Sequence, residues 1–275
     1  MLKRLIFLLG LTLVVIVAHA QKLPGIQTTS LWAPVSIKID GKPSEWGNEY
    51  QALNKATGVF YTIANDNENI YLIVHAKQKR VIQKIIDVGI TFIVNSNKKE
   101  PMKGIEFTYP ILDAPHAILI ISNARANEDL PGTFVNRRPD TVVMPTAKQV
   151  DSLRSVANSL LAESAKTIKV KGVKQIADSL LSVYNEERIL VAARFDSNNE
   201  YTYELCIPIK YLDLSVQSAN QFMYSVKLSS RWVEPKQGMH VRYYYPVRGA
   251  GPVPADPDLD ATTDFSGEYT FAKKP

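Results

Sequence analysis

Aspartates close to the carboxyl end of the sequence have the residue type and the spacing of a calcium site. Asp256, Asp258 and Asp260 occupy alternate positions, and Asp264 follows after three further residues. Calcium prefers carboxylate oxygens, and three prolines between 252 and 257 stiffen the loop that carries them. The loop lacks the central glycine and the closing glutamate of an EF-hand, so a solvated acidic loop is the alternative. We predict weak calcium binding at Asp256, Asp258 and Asp260.

An aromatic ring flanked by arginines is the second feature that could bind a ligand. Successive side chains of a strand alternate between its faces. This alternation sets Arg231 opposite the apolar residues of 222–232, and it puts Arg242 and Tyr244 on one side of 241–245. A tyrosine ring beside guanidinium donors suits the apolar face and the hydroxyls of a sugar. We predict Arg231, Arg242 and Tyr244 as ligand-binding residues, with an ordinary sheet surface as the alternative.

The residue patterns of common hydrolases are missing from the sequence. Glycoside hydrolysis needs two facing carboxylates, and the spacing of Glu45, Glu106 and Glu204 pairs none of them. No G-x-S-x-G segment supplies a serine nucleophile. The single cysteine, Cys206, has no activating neighbour in the sequence and is expected to be a packing residue. We therefore predict that the protein is not an enzyme, and that Glu204 hydrogen-bonds a loop.

The elements that must position these residues have a period of two. Short segments of alternating apolar and polar residues, separated by turn residues, are typical of β-strands in a sandwich. The predicted strands are 35–39, 59–63, 70–74, 88–94, 104–109, 117–122, 189–195, 201–207, 222–232, 241–245 and 265–271. This pattern predicts an all-β protein, an immunoglobulin-like or jelly-roll-type antiparallel β-sandwich.

One segment has the period of a helix. Thr146 can cap a helix, and the apolar residues at 150, 153, 157, 160 and 161 share one helical face. We predict a helix over about 146–165, inside an insertion at 125–187 of a single domain that spans 21–275. The apolar spacing of 174–184 fits a helix or a loop.

The first twenty residues have the organisation of a secretory signal peptide. Lys3 and Arg4 precede an apolar run at 5–17, and Ala18-His19-Ala20 supplies a small-x-small cleavage pattern. The run is shorter than a membrane-spanning helix, and no cysteine follows the cleavage site to carry a lipid. We predict a secreted or periplasmic bacterial protein. Its net charge of +5 includes the two basic residues of the leader, so nothing favours nucleic-acid binding.

Segments at 37–46, 66–71 and 203–208 resemble the family 9-like carbohydrate-binding modules, which are related to the DOMON β-sandwiches. They read I-K-I-D-G-K-P-S-E-W, D-N-E-N-I-Y and Y-E-L-C-I-P, in the order that the family shows. The resemblance implies a β-sandwich that binds carbohydrate without catalysis. The insertion at 125–187 departs from the family pattern. We expect Trp46, within the first segment, to be a buried residue that closes one end of the sandwich.

The predicted function is recognition of carbohydrate of the cell envelope or exterior, and the alternative is an envelope scaffold that binds another protein. Some DOMON relatives bind haem through methionine and histidine. The candidate axial histidines in this sequence are His75, His116 and His240. No motif joins any of them to a methionine, and we predict no haem. Calcium is the single cofactor that the sequence motivates.

Overall fold

The computed structural model describes residues 22–95, 99–112, 146–212, 220–230 and 260–275. In these ranges the strands are β1 Ala52–Asn54, β2 Val59–Asn65, β3 Asn69–Ala76, β4 Ile90–Asn95, β5 Ile105–Tyr109, β6 Thr167–Lys171, β7 Leu180–Ser182, β8 Leu190–Phe195, β9 Tyr201–Pro208, β10 Gln221–Leu228 and β11 Thr263–Thr270. The helices are α1 Lys79–Val88 and α2 Ala147–Ser164, with short 3₁₀ turns at Ser44–Trp46 and Ile209–Tyr211.

The strands form two antiparallel sheets. The first sheet has the order β1-β2-β3-β9-β8, and the second has the order β11-β10-β4-β5-β6-β7. The predicted all-β sandwich with a helical insertion is therefore confirmed. Two of the six strands in the second sheet, β6 and β7, lie within the segment 125–187, so this part of the predicted insertion extends the sheet.

The core lies between the inner faces of the two sheets. Tyr61 and Leu72 of the first sheet belong to one buried cluster with Phe92, Phe107 and Tyr224 of the second. Each of these side chains is almost completely buried. Burial of a large apolar side chain contributes about 1.5–3 kcal/mol, so this cluster is the main source of stability for the sandwich.

The outer face of the first sheet is also covered, by residues 31–50, which we call the outer layer. Ala33 and Trp46 of the outer layer pack with Tyr71, Ile73 and Cys206 of β3 and β9. This coverage explains why β9 is buried at every position rather than at alternate ones.

The predicted strand 35–39 is wrong. This segment begins with a turn, at which Ser36 has a φ of +71°, and the outer layer touches the first sheet's ladder through a single parallel bridge, from Trp32 to Asn65. Ile37 and Ile39 still pack against the cluster below them. The alternation of Ile37 and Ile39 therefore records which side chains face the sheet, although the backbone forms no strand and Val35 is exposed.

Helix α1 is a feature that the strand-based interpretation missed. Its buried residues Ile82, Ile85 and Ile86 pack on the core. Gly89, with a φ of +75°, ends the helix, and its N–H donates to the carbonyl of Ile85. The predicted strand 88–94 consequently begins at Ile90.

Helix α2 begins where the sequence predicted. Thr146 accepts a hydrogen bond from the backbone N–H of Gln149, and the Gln149 side chain accepts one from Thr146, which completes a capping box. Val150, Ala157 and Leu161 form its buried face. In the ambiguous segment 174–184, a loop leads into β7.

Helix α2 protects the edge strand β8. The Asn158 amide donates to the carbonyl of Phe195 at 3.0 Å and accepts from its N–H at 2.8 Å. We expect Asn158→Ala to lower the free energy of unfolding by about 2 kcal/mol, because two backbone groups lose their partner. Urea denaturation checks this value. Ser159→Ala, an exposed change on the same helix, is the control and should change stability by less than about 0.5 kcal/mol; equal losses would contradict the role of Asn158.

Several sequence-based predictions lie outside the described residues. These are the signal peptide at 1–20, the strands at 117–122 and 241–245, and Trp232 at the end of 222–232. In the part of the chain that the structure describes, no helix combines the length and the apolar character needed to cross a membrane.

Candidate functional site

Most of the predicted ligand residues lie outside the described residues. This holds for Arg231, Arg242, Tyr244, Asp256 and Asp258. The carbohydrate platform and the calcium loop therefore stay predictions.

The described end of the acidic loop shows how that loop joins the second sheet. The backbone carbonyl of Asp260 accepts a hydrogen bond from the Ser230 hydroxyl. Asp264 lies on β11 directly opposite Lys227 of β10. Asp264 is thus part of a strand, whereas Asp260 lies at the boundary of the loop.

Glu204 is the centre of a buried hydrogen-bond constellation, which we call the Glu204 clamp: Glu204, Asp40, Gly41 and Trp46. The Oε2 atom of Glu204 accepts from the backbone N–H groups of Asp40 and Gly41 at 2.9 and 2.7 Å. Its Oε1 atom accepts from the indole N–H of Trp46 at 2.9 Å. Glu204 is completely buried, so these three donors replace the water that a carboxylate would otherwise bind.

Burial raises the pKa of Glu204, and the hydrogen bonds from Trp46, Gly41 and Asp40 oppose that rise. The structure does not bring the three candidate carboxylates together. Glu45 accepts from the Ser44 hydroxyl in the outer layer, and Glu106 lies on β5, 3.5 Å from the ammonium of Lys171. Glu204 bonds a loop, as the sequence analysis expected.

The three sequence segments that carry the family resemblance meet where the outer layer packs on the first sheet. Trp46, from the first segment, packs edge-on against Tyr71, from the second, with ring centroids 6.5 Å apart. The Tyr71 hydroxyl donates to Asp66 at 2.7 Å. Glu204, from the third segment, accepts from Trp46. Trp46 is buried as expected, but it lies over the outer face of the first sheet rather than at an end of the sandwich.

Cys206 packs in the same cluster. Its thiol is buried, and burial raises its pKa to about 12. The neutral thiol is a weak nucleophile at physiological pH, so this cysteine acts as a packing residue.

A cavity of about 300 Å³ lies beside β8, where the first sheet meets α2 and the residues that follow β7. Two tyrosines line it together with polar side chains: Tyr109, Tyr184, Asp40, Asn158 and Arg194. The Tyr184 side chain is 80% exposed. Because the backbone N–H of Asp40 donates to Glu204, the Glu204 clamp holds one wall of the cavity in place.

The cavity is not visible in the sequence, because its lining residues come from five separate stretches of the chain. The signal that could have drawn attention to it is Tyr184, a large aromatic residue among the polar residues of 182–188. Ring-bearing side chains in such a setting often contact ligands.

A second group of side chains has the chemistry of a metal site. His75, Asp196 and Glu200 each offer one ligand atom, and these atoms all lie within 4.8 Å of one another. His75 entered the sequence analysis only as a candidate haem ligand, because Asp196 and Glu200 are far from it in the chain.

Comparison with models of protein families and with curated proteins finds no match to this sequence.

Proposed function

We propose that this protein is an exported, non-catalytic binding protein that recognises carbohydrate of the cell envelope or exterior. The observation that carries the proposal is the cavity of about 300 Å³ beside β8, with two tyrosines and three polar side chains in its lining. Ligand sites are concave and combine apolar or aromatic walls with a few polar groups that fix orientation. The resemblance of three sequence segments to family 9-like modules supports the same ligand class.

The lining offers each kind of contact that a sugar needs. The ring of Tyr184 is exposed and can stack on the apolar face of a pyranose. The Arg194 guanidinium supplies donors, and the Asp40 carboxylate supplies acceptors, for sugar hydroxyls. Asp40 is paired with Lys42 at 2.9 Å, which holds its carboxylate beside the cavity.

We expect Tyr184→Ala to weaken glycan binding about tenfold, equivalent to ~1.4 kcal/mol, because the stacking surface is lost. The measurement is isothermal titration calorimetry of the mature protein with a glycan chosen from an array of plant, bacterial and host sugars. Tyr184→Phe is the matched control, since it keeps the ring and should bind within about threefold of the natural protein.

Tyr244→Ala separates the cavity from the platform predicted at Arg231, Arg242 and Tyr244. If the cavity is the site, Tyr244→Ala binds like the natural protein. Loss of binding in Tyr244→Ala together with normal binding in Tyr184→Ala would place the site on the platform and refute the cavity.

Exposed apolar side chains favour a second candidate function, an envelope scaffold that binds another protein. Val156 on α2, Leu180 on β7 and Leu190 on β8 are 46%, 56% and 41% exposed. Residues of α2 and β8 line the cavity, and β7 ends just before its lining residue Val183. Apolar residues on a surface are typical of protein interfaces when they form a continuous patch. A mature protein that binds no glycan on the array would favour this scaffold function.

A further inference from the structure

The cluster at one end of the outer layer joins β3 to the turn between β8 and β9. His75 lies on β3 and is 5% exposed, whereas Asp196 and Glu200 flank the turn and are half-buried. The His75 Nε2 atom is 2.8 Å from the Glu200 Oε2 atom. One imidazole nitrogen and two carboxylate oxygens therefore converge from two distant parts of the chain. His75 and Glu200 are 125 residues apart in the sequence.

The surrounding contacts hold the two acidic side chains in place. Asp196 Oδ1 accepts from the backbone N–H groups of Asn198 and Glu200 at 2.8 and 2.9 Å, which closes the turn. Within the described ranges, no hydrogen bond reaches the other oxygen of Asp196, so that oxygen can serve as a ligand.

The other ring nitrogen of His75 has the partner that a metal-binding histidine needs. Nδ1 lies 3.0 Å from the Thr202 hydroxyl, which can accept the Nδ1 proton. Histidines that bind metals donate their second N–H to an oxygen in this way, because the donation fixes the tautomer and the ring orientation. At 2.8 Å the Nε2–H donates to Glu200, so a bound metal ion would replace the proton on Nε2 while Nδ1–H donates to Thr202.

The phenol ring of Tyr50 packs against the cluster. The Tyr50 ring stacks on the His75 ring at 5.1 Å between centroids, with 12° between the planes. Its hydroxyl oxygen is buried beside the Thr202 side chain, so Tyr50 helps to hold both the imidazole ring and Thr202 in place.

We propose that His75, Asp196 and Glu200 bind a divalent transition-metal ion of the zinc type. Imidazole nitrogen together with carboxylate oxygen suits Zn²⁺, whereas Ca²⁺ and Mg²⁺ take oxygen ligands almost exclusively. Three protein ligands leave a fourth position of a tetrahedral ion for water. Zinc–ligand distances of about 2.0–2.2 Å require the Nε2–Oε2 separation to open by roughly 0.5 Å.

The charge around the site includes one opposing group. The Lys77 ammonium lies 3.8 Å from Glu200 Oε2 and is half exposed, and it sits over the Phe60 ring at 5.1 Å. A surface lysine can swing into solvent when an ion neutralises Glu200. Lys77→Gln should therefore tighten metal binding, because it removes a repelling charge.

The test is calorimetric titration of the chelator-treated mature protein with Zn²⁺, followed by the visible absorption of bound Co²⁺, which reports coordination geometry. We expect one equivalent of Zn²⁺ and a raised melting temperature in the natural protein. His75→Gln and Glu200→Gln should each weaken binding on the order of 100-fold. Glu200→Gln is the safer variant, because Glu200 is half-buried and the fold depends on it less than on His75.

Glu163→Gln is the matched control, since it removes an exposed carboxylate on α2, away from the cluster, and should leave Zn²⁺ binding unchanged. Circular dichroism establishes that each variant is folded. Absence of Zn²⁺ binding in the folded natural protein would overturn the proposal. Binding that Glu200→Gln leaves unchanged, or that Glu163→Gln abolishes, would overturn it as well. These outcomes are independent of glycan binding, because no residue of the cluster lines the cavity.

Discussion

Replacing Glu204 by alanine is expected to lower the free energy of unfolding by about 4 kcal/mol, and replacing it by glutamine by about 2 kcal/mol. Alanine leaves three buried donors, from Asp40, Gly41 and Trp46, without an acceptor. Glutamine keeps one acceptor oxygen, but its NH₂ group, which is a donor, must face either the donor of Trp46 or the two backbone N–H donors. Each buried donor without a partner costs about 1–3 kcal/mol.

The pH dependence gives this prediction a second readout. Burial raises the pKa of Glu204 in the folded protein above the ordinary value of 4.5. The folded state therefore binds the proton more tightly than the unfolded state, and this contribution to stability is fully present below pH 4.5 and lost as the pH rises through the folded pKa. Glu204→Gln lacks this contribution. Its loss of free energy of unfolding, relative to the natural protein, should therefore be larger at pH 4.5 than at a pH above the folded pKa of Glu204.

Urea denaturation at several pH values measures both effects. Glu45→Gln is the matched control, because its carboxylate bonds the exposed Ser44 hydroxyl at 2.7 Å. That change should cost less than about 0.5 kcal/mol. Equal stability losses for Glu45→Gln and Glu204→Gln would contradict the clamp.

Gly41→Ala is expected to cost about 3 kcal/mol, which is the second large effect. Gly41 has a φ of +78°, a conformation that costs an alanine about 1–2 kcal/mol. An added Cβ would also lie 2.9 Å from the carbonyl carbon of Ala193 and from the Cβ of Arg194. Overpacking of this kind adds about 1–3 kcal/mol, because β8 must shift away from the outer layer.

Gly47→Ala separates these two costs. Gly47 also has a positive φ, +66°, but an added Cβ would meet no atom within 4 Å. We expect Gly47→Ala to lose about 1 kcal/mol, so that the difference between the two variants measures the close approach of Gly41 to β8. Thermal and urea unfolding of both proteins supply the comparison. Similar losses of stability in Gly41→Ala and Gly47→Ala would show that β8 moves away from the added methyl group at no cost in free energy.

The substitutions at Glu204 and Gly41 also bear on the proposed function. Asp40 lines the cavity and is held by Glu204, and Arg194, which Gly41 touches, lines it too. Loosening the clamp is therefore expected to weaken glycan binding even in a protein that remains folded.

Local patterns in the sequence determined much of the sandwich. Short runs of β-branched and aromatic residues at 59–63, 70–74 and 201–207 mark strands β2, β3 and β9, because such side chains favour the extended backbone of a strand. Thr146 and Gln149 mark the beginning of α2, because a capping box needs two residues three positions apart. The role of Glu204 in bonding a loop was also predictable, since a carboxylate in a strand rich in apolar residues needs donors.

Other elements were ambiguous at the level of sequence. Val35, Ile37 and Ile39 alternate as strand residues do, but Ile37 and Ile39 pack over the sheet from a non-strand segment whereas Val35 is exposed. The isoleucines of α1 have helical spacing, but the segment runs directly into the β-branched residues of β4. Short apolar segments satisfy both periods, and packing against the rest of the chain decides between them.

Tertiary structure alone decided which distant residues meet. Glu204 finds the N–H groups of Asp40 and Gly41 across more than 160 residues, and His75 finds Glu200 across 125. Turns, caps and periodicity depend on residues a few positions apart, so a sequence displays them directly. Contacts between strands depend on the order of strands in the sheet, which places β3 beside β9 and β8 beside the cavity. That order is settled by the burial of both sheets around one core, a property of the whole chain that no short segment contains.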